Sequence, residues 1–414
     1  MSDKVKAAAP FILVTVFLDM ISIGIIIPVL PKLILSFLHG GISVAGLWTG
    51  VFGAVWGLAQ FLFSPVQGGA SDAFGRRPVV LASNLGLSLD YLLMALAPNL
   101  WWLLVGRIVS GMTSASISTA YAYMSDVTAP EKRAGVFGLM GAAFGVGFIL
   151  GPGIGGVLGG IDPRLPFYAA SALSMANFAY GLFVLPESLP KAKRKAFSLH
   201  AANPLGAVKF LARSAQVLRL SLMYLLMMFA QSVFPTTMVL YADYRFGWGP
   251  TQVGLMLAAV GLLSAVVQAG LTGRIVKALG ERRAMLLGLI CGAVAFAGYA
   301  LAPTWPIFVA FLPIGALWGV TTPNIQSLMS AKVDPQEQGR LQGANMSVAS
   351  MATIVAPLVF GGILAAATRA GAPVIWSGAA FGLAGVFLLA GLWLGLGVTP
   401  ALKVEAAFEG DGAE

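Results

Sequence analysis

Twelve long apolar runs, separated by short polar connections, constrain this chain more than any other feature of its sequence. Each run holds about 20 residues, which lets an α-helix cross the ~30 Å hydrocarbon core of a bilayer. Helices satisfy their own backbone hydrogen bonds, so such runs fold as membrane-spanning helices. The sequence therefore predicts an all-α polytopic membrane protein with twelve transmembrane segments. These segments cover residues 8–31, 46–67, 79–97, 100–124, 134–157, 165–185, 218–241, 252–272, 284–302, 305–328, 339–366 and 373–397.

Composition narrows the classes of function. With 58% hydrophobic and only 10% charged residues, the chain is not an ordinary soluble protein. It has one cysteine, Cys291, and two distant histidines, His39 and His200, which argues against a disulfide framework or a zinc site. Glycine-rich strings that match nucleotide-binding patterns lack the strand context those patterns need. We therefore expect no metal, no cofactor and no enzymatic activity.

The basic residues predict the orientation in the membrane. Of the 25 Lys and Arg residues, 20 lie in segments on the side of the N-terminus, 4 lie on the other side, and Arg107 lies within a span. By the positive-inside rule both termini are cytoplasmic in a plasma (inner) membrane. The first run has no small-residue cleavage site after it, so we expect an uncleaved span. The basic connection at 186–217, with an interfacial helix at 204–213, is typical of a linker facing anionic lipid rather than nucleic acid.

The two halves of the chain repeat each other. Gly75 and Gly280 are 205 residues apart, and Pro152 and Pro357 keep the same offset. This repeat predicts two six-helix bundles with a site between them near the bilayer midplane. The predicted parts are a first bundle at 1–185, a linker at 186–217, a second bundle at 218–400 and a cytoplasmic tail at 401–414.

The connection between segments 2 and 3 carries an acid and two bases between spaced glycines. The bases alone would serve as topology anchors, but the acid and glycines indicate a latch between helix ends. The second copy has Lys277 where the first has Asp72, so the latch belongs to the first half. Asp126 and Arg133 repeat the theme after segment 4, and we expect the assembled cluster to favour an outward-open state. The predicted gating residues are Gly68, Asp72, Gly75, Arg76, Arg77, Asp126 and Arg133.

Three charged residues lie inside the spans of the first half. Asp19 and Asp90 each lie about 12 residues into a segment, or ~18 Å, near the midplane. Charge at this depth is costly and marks a functional site by default. We expect Asp19, Asp90 and Arg107 to couple transport to protons. A fixed ion pair between Arg107 and one of the acids, which would only lock the bundle, is the alternative.

Other polar and small residues complete the predicted site. Segment 5 carries glycines at helical spacing around a proline, typical of a hinge or a tight seam between helices. Its residues are Gly147, Gly151, Pro152, Gly155 and Gly156. The predicted substrate cavity comprises Asp19, Gln60, Tyr121, Tyr224, Gln231, Gln268 and Asn324.

Several of these motifs resemble a known family. The pattern Gly-x-x-x-Asp-x-x-Gly-Arg-Arg at 68–77 resembles the loop between helices 2 and 3 of the major facilitator superfamily of secondary transporters. Phe17-Leu18-Asp19, Leu89-Asp90-Tyr91 and Gly106-Arg107 are similar to the bacterial tetracycline/proton antiporters, and the glycines of segment 5 resemble the antiporter signature. The resemblance covers about residues 11 to 400. It implies the major facilitator fold and export of drugs in exchange for protons.

The resemblance also assigns roles. The family's functional acids and bases match Asp19, Asp72, Arg76, Asp90, Arg107, Asp126 and Arg133, and its polar residues on helices 2 and 8 match Gln60 and Gln268. Helix 1 faces the central cavity in this fold, which favours Asp19 over Asp90 as the proton and substrate site, with Arg107 modulating it. Two positions differ, because Gly292 stands where the family has an aspartate and Ser264 where it has a histidine. The metal–tetracycline chelate is therefore not expected to be a good substrate.

These observations predict proton-coupled efflux of amphipathic small molecules by alternating access. The expected partners are a small-molecule substrate, protons and the lipid bilayer, without nucleic acid, and the energy source is the proton gradient. We expect a monomer. A facilitator or symporter for an endogenous metabolite or lipid-like compound is one alternative. A non-transporting membrane receptor on the same fold is another.

Overall fold

The structure is a computed structural model that describes residues 9–38, 41–114, 116–129, 132–194, 210–334 and 337–399. Within these residues twelve helices are long and apolar enough to cross a membrane, as the sequence predicts. The predicted tail at 401–414 and most of the predicted interfacial helix at 204–213 lie outside the described residues. The helices are α1 (Pro10–Ser36), α2 (Gly41–Phe74), α3 (Arg76–Leu96), α4 (Leu100–Val127), α5 (Gly135–Ile161), α6 (Leu165–Val184), α7 (Ala215–Phe246), α8 (Pro250–Leu279), α9 (Glu281–Leu301), α10 (Trp305–Ser330), α11 (Arg340–Ala367) and α12 (Val374–Leu396).

Several helices extend beyond the apolar runs that predict them. Helix α2 continues to Phe74 and α7 to Phe246, because polar residues at the ends of a span can continue the helix past the hydrocarbon. The extension of α7 brings an acid into a membrane-length helix of the second half. Asp243 lies in the last turn of α7, beyond the predicted end of this segment at 241, and Glu281 is the first residue of α9.

The helices form two bundles, α1–α6 and α7–α12, as the repeat predicts. In the first, the Ser88 and Ser171 hydroxyls each donate to the other residue's carbonyl, at 3.0 and 2.8 Å, and join α3 to α6. In the second, the Tyr241 hydroxyl of α7 donates to the Tyr299 carbonyl of α9 at 2.7 Å. Tyr299 also packs against Phe308 of α10, with ring centroids 4.8 Å apart. These bonds and rings hold each bundle as a unit.

Two seams of small residues join the bundles. Where α2 meets α11, a Cβ added at Gly50 would lie 2.5 Å from the Pro357 carbonyl oxygen, and one at Gly361 would lie 2.9 Å from the Gly50 Cα. Where α5 meets α8, a Cβ at Gly156 would lie 2.8 Å from the Gly254 Cα. Glycine allows this backbone contact, and larger residues would separate the bundles.

Both seams lie in one half of the membrane. We call the side that carries the α2–α3 connection the basic side and the other the opposite side. Toward the opposite side the seams are closed. Toward the basic side, Gly141 and Gly145 of α5 and Gly270 and Gly273 of α8 have no neighbouring element within 4 Å of an ideal Cβ. The bundles therefore diverge toward the basic side, where the space between them opens.

The repeat is visible in the backbone as well as in the sequence. Gly75 begins α3 with φ 109° and ψ 162°, and Gly280 begins α9 with φ 76° and ψ 160°. Side chains other than glycine rarely adopt such positive φ values. The same sharp entry therefore sets the angle of the third helix in each bundle.

Candidate functional site

Asp19 lies inside the first bundle, where α1 meets α6 and α4. It is 1% exposed, and the Asn177 side-chain amide donates to its Oδ1 at 2.8 Å. The same amide donates to the Thr15 carbonyl at 3.0 Å, and Ser116 lies beside the carboxyl group. The second oxygen, Oδ2, is buried without a hydrogen-bond partner among the described residues. An unpaired buried carboxyl oxygen is costly and provides a place for a proton.

Asp90 and Arg107 lie close together between α3 and α4. Asp90 is 1% exposed, and its Oδ1 is 2.7 Å from the position that a Cβ on Gly106 would occupy. Both of its oxygens lack a hydrogen-bond partner among the described residues. Arg107 instead stacks over Trp56, with its Cζ 5.3 Å from the ring centroid. It interacts electrostatically with Asp90, but no nitrogen–oxygen contact within 4.0 Å joins Arg107 to an acid in the described chain.

This arrangement refines the predicted roles of the three charges. The alternative of a fixed ion pair does not fit, because Arg107 forms no close pair with either acid in the described chain. Arg107 faces Asp90, whereas Asp19 is held by Asn177. Asp19 is also buried rather than open to the space between the bundles, so it lines no open cavity in this conformation. Its use as a proton site stays a prediction that requires the surrounding helices to move.

The other predicted cavity residues differ in how much of each side chain is exposed. Tyr121 is 37% exposed, Gln60 is half-buried, and Gln231 and Gln268 are exposed. Tyr224 and Asn324 are different, because they are only 8% and 3% exposed. The Asn324 side-chain amide donates to the Val320 carbonyl of its own helix at 2.7 Å. These two residues are not available to a ligand in this conformation.

Gln268 lies at an irregularity that the sequence does not reveal. Residues Val267–Leu271 form one turn of π-helix within α8. Turns of this kind often occur at functional sites, since they leave backbone groups free and turn side chains outward. Gln268 packs 3.8 Å from the Cβ position of Gly319, in the 3₁₀ turn Leu317–Val320 of α10. Two irregular turns therefore meet in the second bundle.

The two departures from the resembled family have different surroundings. Gly292 is packed, because a Cβ there would lie 2.7 Å from Leu388 Cδ1 and 3.0 Å from the Trp318 ring. The place of a carboxylate on α9 is thus filled by two large side chains. Ser264 is half-buried on α8. Among the described residues, no group of His, Cys, Asp and Glu side chains forms a metal site.

The predicted charge cluster is present at the basic side. Arg76 donates through Nη1 to Asp72 Oδ1 at 2.6 Å and through Nε to Asp126 Oδ2 at 3.1 Å. The Arg76 side chain is 12% exposed and also reaches the Ser71 hydroxyl, so the cluster is partly shielded from water. Ser188, just after α6, donates to the same Asp126 oxygen. Asp72, Arg76 and Asp126, which the sequence predicts to form one charge cluster, are in contact in the structure.

We expected the assembled cluster to favour an outward-open state. It is formed here while the space between the bundles opens to the basic side, and its influence on the balance of states stays a prediction. Asp72, Arg76 and Asp126 all belong to the first bundle. The cluster therefore fixes the ends of α2, α3 and α4 relative to each other and does not itself bridge the two bundles.

Of the remaining gating residues, the two arginines hold neighbouring helix ends together and Gly68 makes no such contact. Arg77 donates to the Leu182 carbonyl of α6 at 2.6 Å. Arg133 donates to the Ser125 carbonyl at 3.0 Å and the Thr128 carbonyl at 3.3 Å. Gly68 has no neighbouring element within 4 Å of an ideal Cβ. A cavity of about 170 Å³ lies at this end, lined by Ser125, Asp126, Arg133, Ser188, Leu189 and Pro190.

Sequence reasoning missed Glu187, which completes this end of the bundle. Its carboxylate accepts hydrogen bonds from the backbone N–H groups of Arg76 at 2.9 Å and Arg77 at 3.3 Å. A carboxylate at a helix N-terminus stabilises the free N–H groups there and the positive end of the helix dipole. A Cβ at Gly75 would collide with this carboxylate. The signal was an acid at the start of an otherwise basic linker.

A second missed contact closes the opposite side. Lys32 Nζ of α1 lies 2.5 Å from Asp243 Oδ2 of α7, and the two side chains are only 20% and 23% exposed. The Ser43 hydroxyl of α2 donates to the Ala365 carbonyl of α11, and the Thr251 hydroxyl of α8 donates to the Gly156 carbonyl. These contacts join the two bundles, and all lie at the same side as the seams.

The predicted hinge residues pack α5 mainly against α1, and Gly156 among them lies in the seam between α5 and α8. A Cβ at Gly147 would lie 2.6 Å from Met20 Cβ, and one at Gly151 would lie 2.7 Å from the Gly24 Cα. Gly155 is packed as tightly on α1, and Gly156 faces α8. The helix continues without a break through Pro152. The motif therefore places α5 against α1 of its own bundle and against the second bundle, and its role as a hinge stays a prediction.

Comparison with known proteins agrees with this architecture. The sequence pattern of the Major Facilitator Superfamily matches residues 12–357 and 220–412. The chain is 39% identical over 379 residues to the tetracycline resistance protein, class C, of Escherichia coli, covering 91% of this chain and 93% of that protein. It is 30% identical to the multidrug resistance protein 2 of Bacillus subtilis, covering 87% and 90% of the two chains. These matches confirm the resemblance seen in the motifs.

Solved structures show the same fold at low sequence identity. The nucleoside transporter NupG superposes with a TM-score of 0.75 at 15% identity, covering 94% of this chain and 98% of that one. The human organic anion transporter MFSD10 (TETRAN) superposes with a TM-score of 0.69 at 23% identity, covering 95% and 100%. The twelve-helix, two-bundle prediction is thereby confirmed.

Proposed function

Because the chain belongs to the major facilitator superfamily, we propose that it exports amphipathic small molecules, including drugs, across the inner membrane in exchange for protons. The fold is that of a multi-pass transporter, and the relatives of 30% identity or more include proteins named for tetracycline and multidrug resistance. A transporter of this kind binds its substrate from one side, changes conformation and releases it on the other. The activity is transport rather than catalysis.

One observation carries the proton part of the proposal. Asp19 and Asp90 are both 1% exposed inside the first bundle, and each retains at least one carboxyl oxygen without a hydrogen-bond partner among the described residues. Burying an acid in this way inside a membrane span costs free energy, and such residues mark a functional site by default. In the described part of the second bundle no acid occupies a comparable depth, and Asp243 lies at the end of its helix.

The orientation of the protein in the membrane follows from the charge of the two sides. The sequence predicts that 20 of the 25 basic residues lie on the side of the α2–α3 connection, so we assign that side, with both termini, to the cytoplasm. The structure then corresponds to the inward-open state, ready to receive substrate from the cytoplasm. The proton gradient supplies the energy, no bound cofactor is required, and the monomer is the working unit.

The cycle uses the contacts described above. Substrate enters from the cytoplasm between the diverging halves of α5 and α8. Closure on this side requires the opposite seams and the Lys32–Asp243 pair to open. A proton taken up at Asp19 or Asp90 from outside changes the charge inside the first bundle. Substrate release outside and proton release inside then complete the exchange.

Transport by purified protein in liposomes tests the proposal. A thermal-shift screen of drugs and metabolites selects a ligand, and its flux is followed with and without a pH gradient. We expect the gradient to drive accumulation and a protonophore to abolish it. Equal flux without a gradient would indicate a facilitator. Binding without any flux would indicate a receptor. Either result would contradict the proposed antiport.

A further inference from the structure

Helix α5 can be divided into sides by its contacts. Gly147 and Gly151 pack on α1, whereas Ile149 lies against Gly261 of α8 and Gly156 against α8 further along. Two further sides of α5 lie between the side that contacts α1 and the side that contacts α8. One carries exposed aliphatic side chains and faces lipid, as expected for a membrane helix. Its residues are Leu139, Val146, Leu150 and Val157.

The remaining side carries Phe144, Phe148 and Pro152 at intervals of four residues, which places them in one row along the helix. Pro152 shows where this row points. Its ring lies 2.9 Å from the Cβ position of Gly24 in α1, and its carbonyl lies against Gly254 in α8. The row therefore faces the junction of α1 and α8. Toward the basic side that junction is open, so Phe144 and Phe148 line the opening.

The two rings lie parallel to each other. Phe144 and Phe148 are 40% and 38% exposed, their planes differ by only 8°, and their centroids are 6.2 Å apart. Gly141, on the same side one turn closer to the basic side, leaves the space beside them empty. Tyr121 of α4 and Phe137 form a second pair nearby, with ring centroids 5.5 Å apart. The lipid-facing side of the same helix has no aromatic residue at the corresponding described positions.

We propose that Phe144 and Phe148, together with Tyr121 and Phe137, form an aromatic wall that binds planar aromatic ring systems of the transported molecule. Parallel rings present π faces to a flat ligand, and stacking adds to the free energy gained by burying apolar area. The open space over Gly141 gives such a ligand room to lie against the rings. The proposal rests on the proposed export function and names the part of the cavity that selects its substrates.

A pair of probes with one head group isolates the contribution of the rings. The first is (9-anthrylmethyl)trimethylammonium, which is flat and fluorescent. The second is (cyclohexylmethyl)trimethylammonium, whose charge is the same and whose ring is not aromatic. Binding of the first to full-length protein in lipid nanodiscs is read from fluorescence anisotropy, and binding of the second from its displacement of the first. We expect the anthryl probe to bind about tenfold more tightly.

The double variant Phe144→Leu/Phe148→Leu keeps apolar side chains and removes the aromatic faces. We expect it to bind the anthryl probe about tenfold more weakly while its affinity for the cyclohexyl probe changes less than about twofold. Phe183→Leu provides a matched control, because Phe183 is exposed on α6 away from the wall. It should bind both probes like the parent protein.

Three results would overturn the proposal. They are no binding of the anthryl probe by the parent protein, unchanged affinity in the double variant, and an equal loss for both probes. Proton-driven export of any other drug by the parent protein would still support the proposed function in each case. Absence of all gradient-driven export would instead count against the function itself. The two failures can thus be distinguished.

Discussion

The first connections of the two bundles share a backbone but differ in charge. Gly75 and Gly280 turn the chain in the same way before α3 and α9. After Gly75, Arg76 lies in a partly shielded cluster with two acids. After Gly280, the half-buried Glu281 accepts a solvent-exposed hydrogen bond from Ser327. The glycine is needed for the geometry of the fold in both halves. The charges are needed in only one.

The same contrast extends into the membrane. The first bundle holds Asp19, Asp90 and Arg107 at depth, with unpaired polar atoms around them among the described residues. The second bundle holds close aromatic packing around Phe296, Tyr299 and Phe308. We infer that the first bundle carries the groups that change charge during the cycle. The second bundle provides a rigid surface against which the first bundle moves at the α2–α11 and α5–α8 seams.

The largest expected effect is at Asp19. Asp19→Asn should abolish uphill export driven by a pH gradient while leaving downhill exchange of a neutral substrate, because the amide keeps the shape but cannot exchange a proton. Flux in liposomes checks this, with Asp243→Asn as the control for removal of an acid from the second bundle, which should keep uphill export. Uphill export by Asp19→Asn at the parent rate would remove Asp19 from the mechanism.

Breaking the charge cluster should have a smaller effect. Arg76→Ala leaves Asp126 partly buried without its base, and we expect transport to slow by about tenfold, or ~1.4 kcal/mol in the rate-limiting change. Glu281→Ala, at the related position of the second bundle, should stay within about twofold, because its one hydrogen bond is exposed. Initial transport rates at matched expression test the contrast, which fails if both variants respond alike.

Opening the opposite side should give a still smaller change. Lys32→Ala removes the partner of Asp243 across the bundles, and a partly exposed pair of this kind contributes about 1 kcal/mol or less. The outward-open population should therefore rise by up to about fivefold. Distance measurements between spin labels at the ends of α1 and α7 on the opposite side report the outward-open population. The charge-reversed double variant Lys32→Asp/Asp243→Lys should restore the parent distribution, and no recovery would argue against this pair.

The smallest response is expected with tetracycline and magnesium. The site that the resembled family fills with an aspartate is Gly292 here, closed off by Leu388 and Trp318. The protein should therefore confer little resistance on a sensitive host. Gly292→Asp should not create resistance by itself, since the added side chain has no space. Strong resistance from the parent protein would show that the second bundle contributes more to substrate binding than this comparison allows.

Much of this architecture could be read from the sequence, and the limits have physical causes. Hydropathy predicts all twelve helices, because the bilayer requires a fixed apolar length. The repeat predicts the two bundles. The motif at 68–77, with Asp126 and Arg133, predicts the charge cluster in which Arg76 contacts Asp72 and Asp126. The Lys32–Asp243 pair was missed because its residues are far apart in sequence and their meeting depends on the conformational state. Glu187, Phe144 and Phe148 were missed because their partners appear only when helix ends and faces are placed in space.

Proton release on substrate binding tests the central claim most directly. A drug selected by thermal shift is added to purified protein in weakly buffered detergent, and a pH-sensitive dye reports the protons released. The account predicts release from the parent protein, none from the Asp19→Asn/Asp90→Asn double variant, and release at the parent level from Asp243→Asn in the second bundle. Equal release from the parent protein and the Asp19→Asn/Asp90→Asn variant would contradict the claim that the first bundle carries the coupled protons.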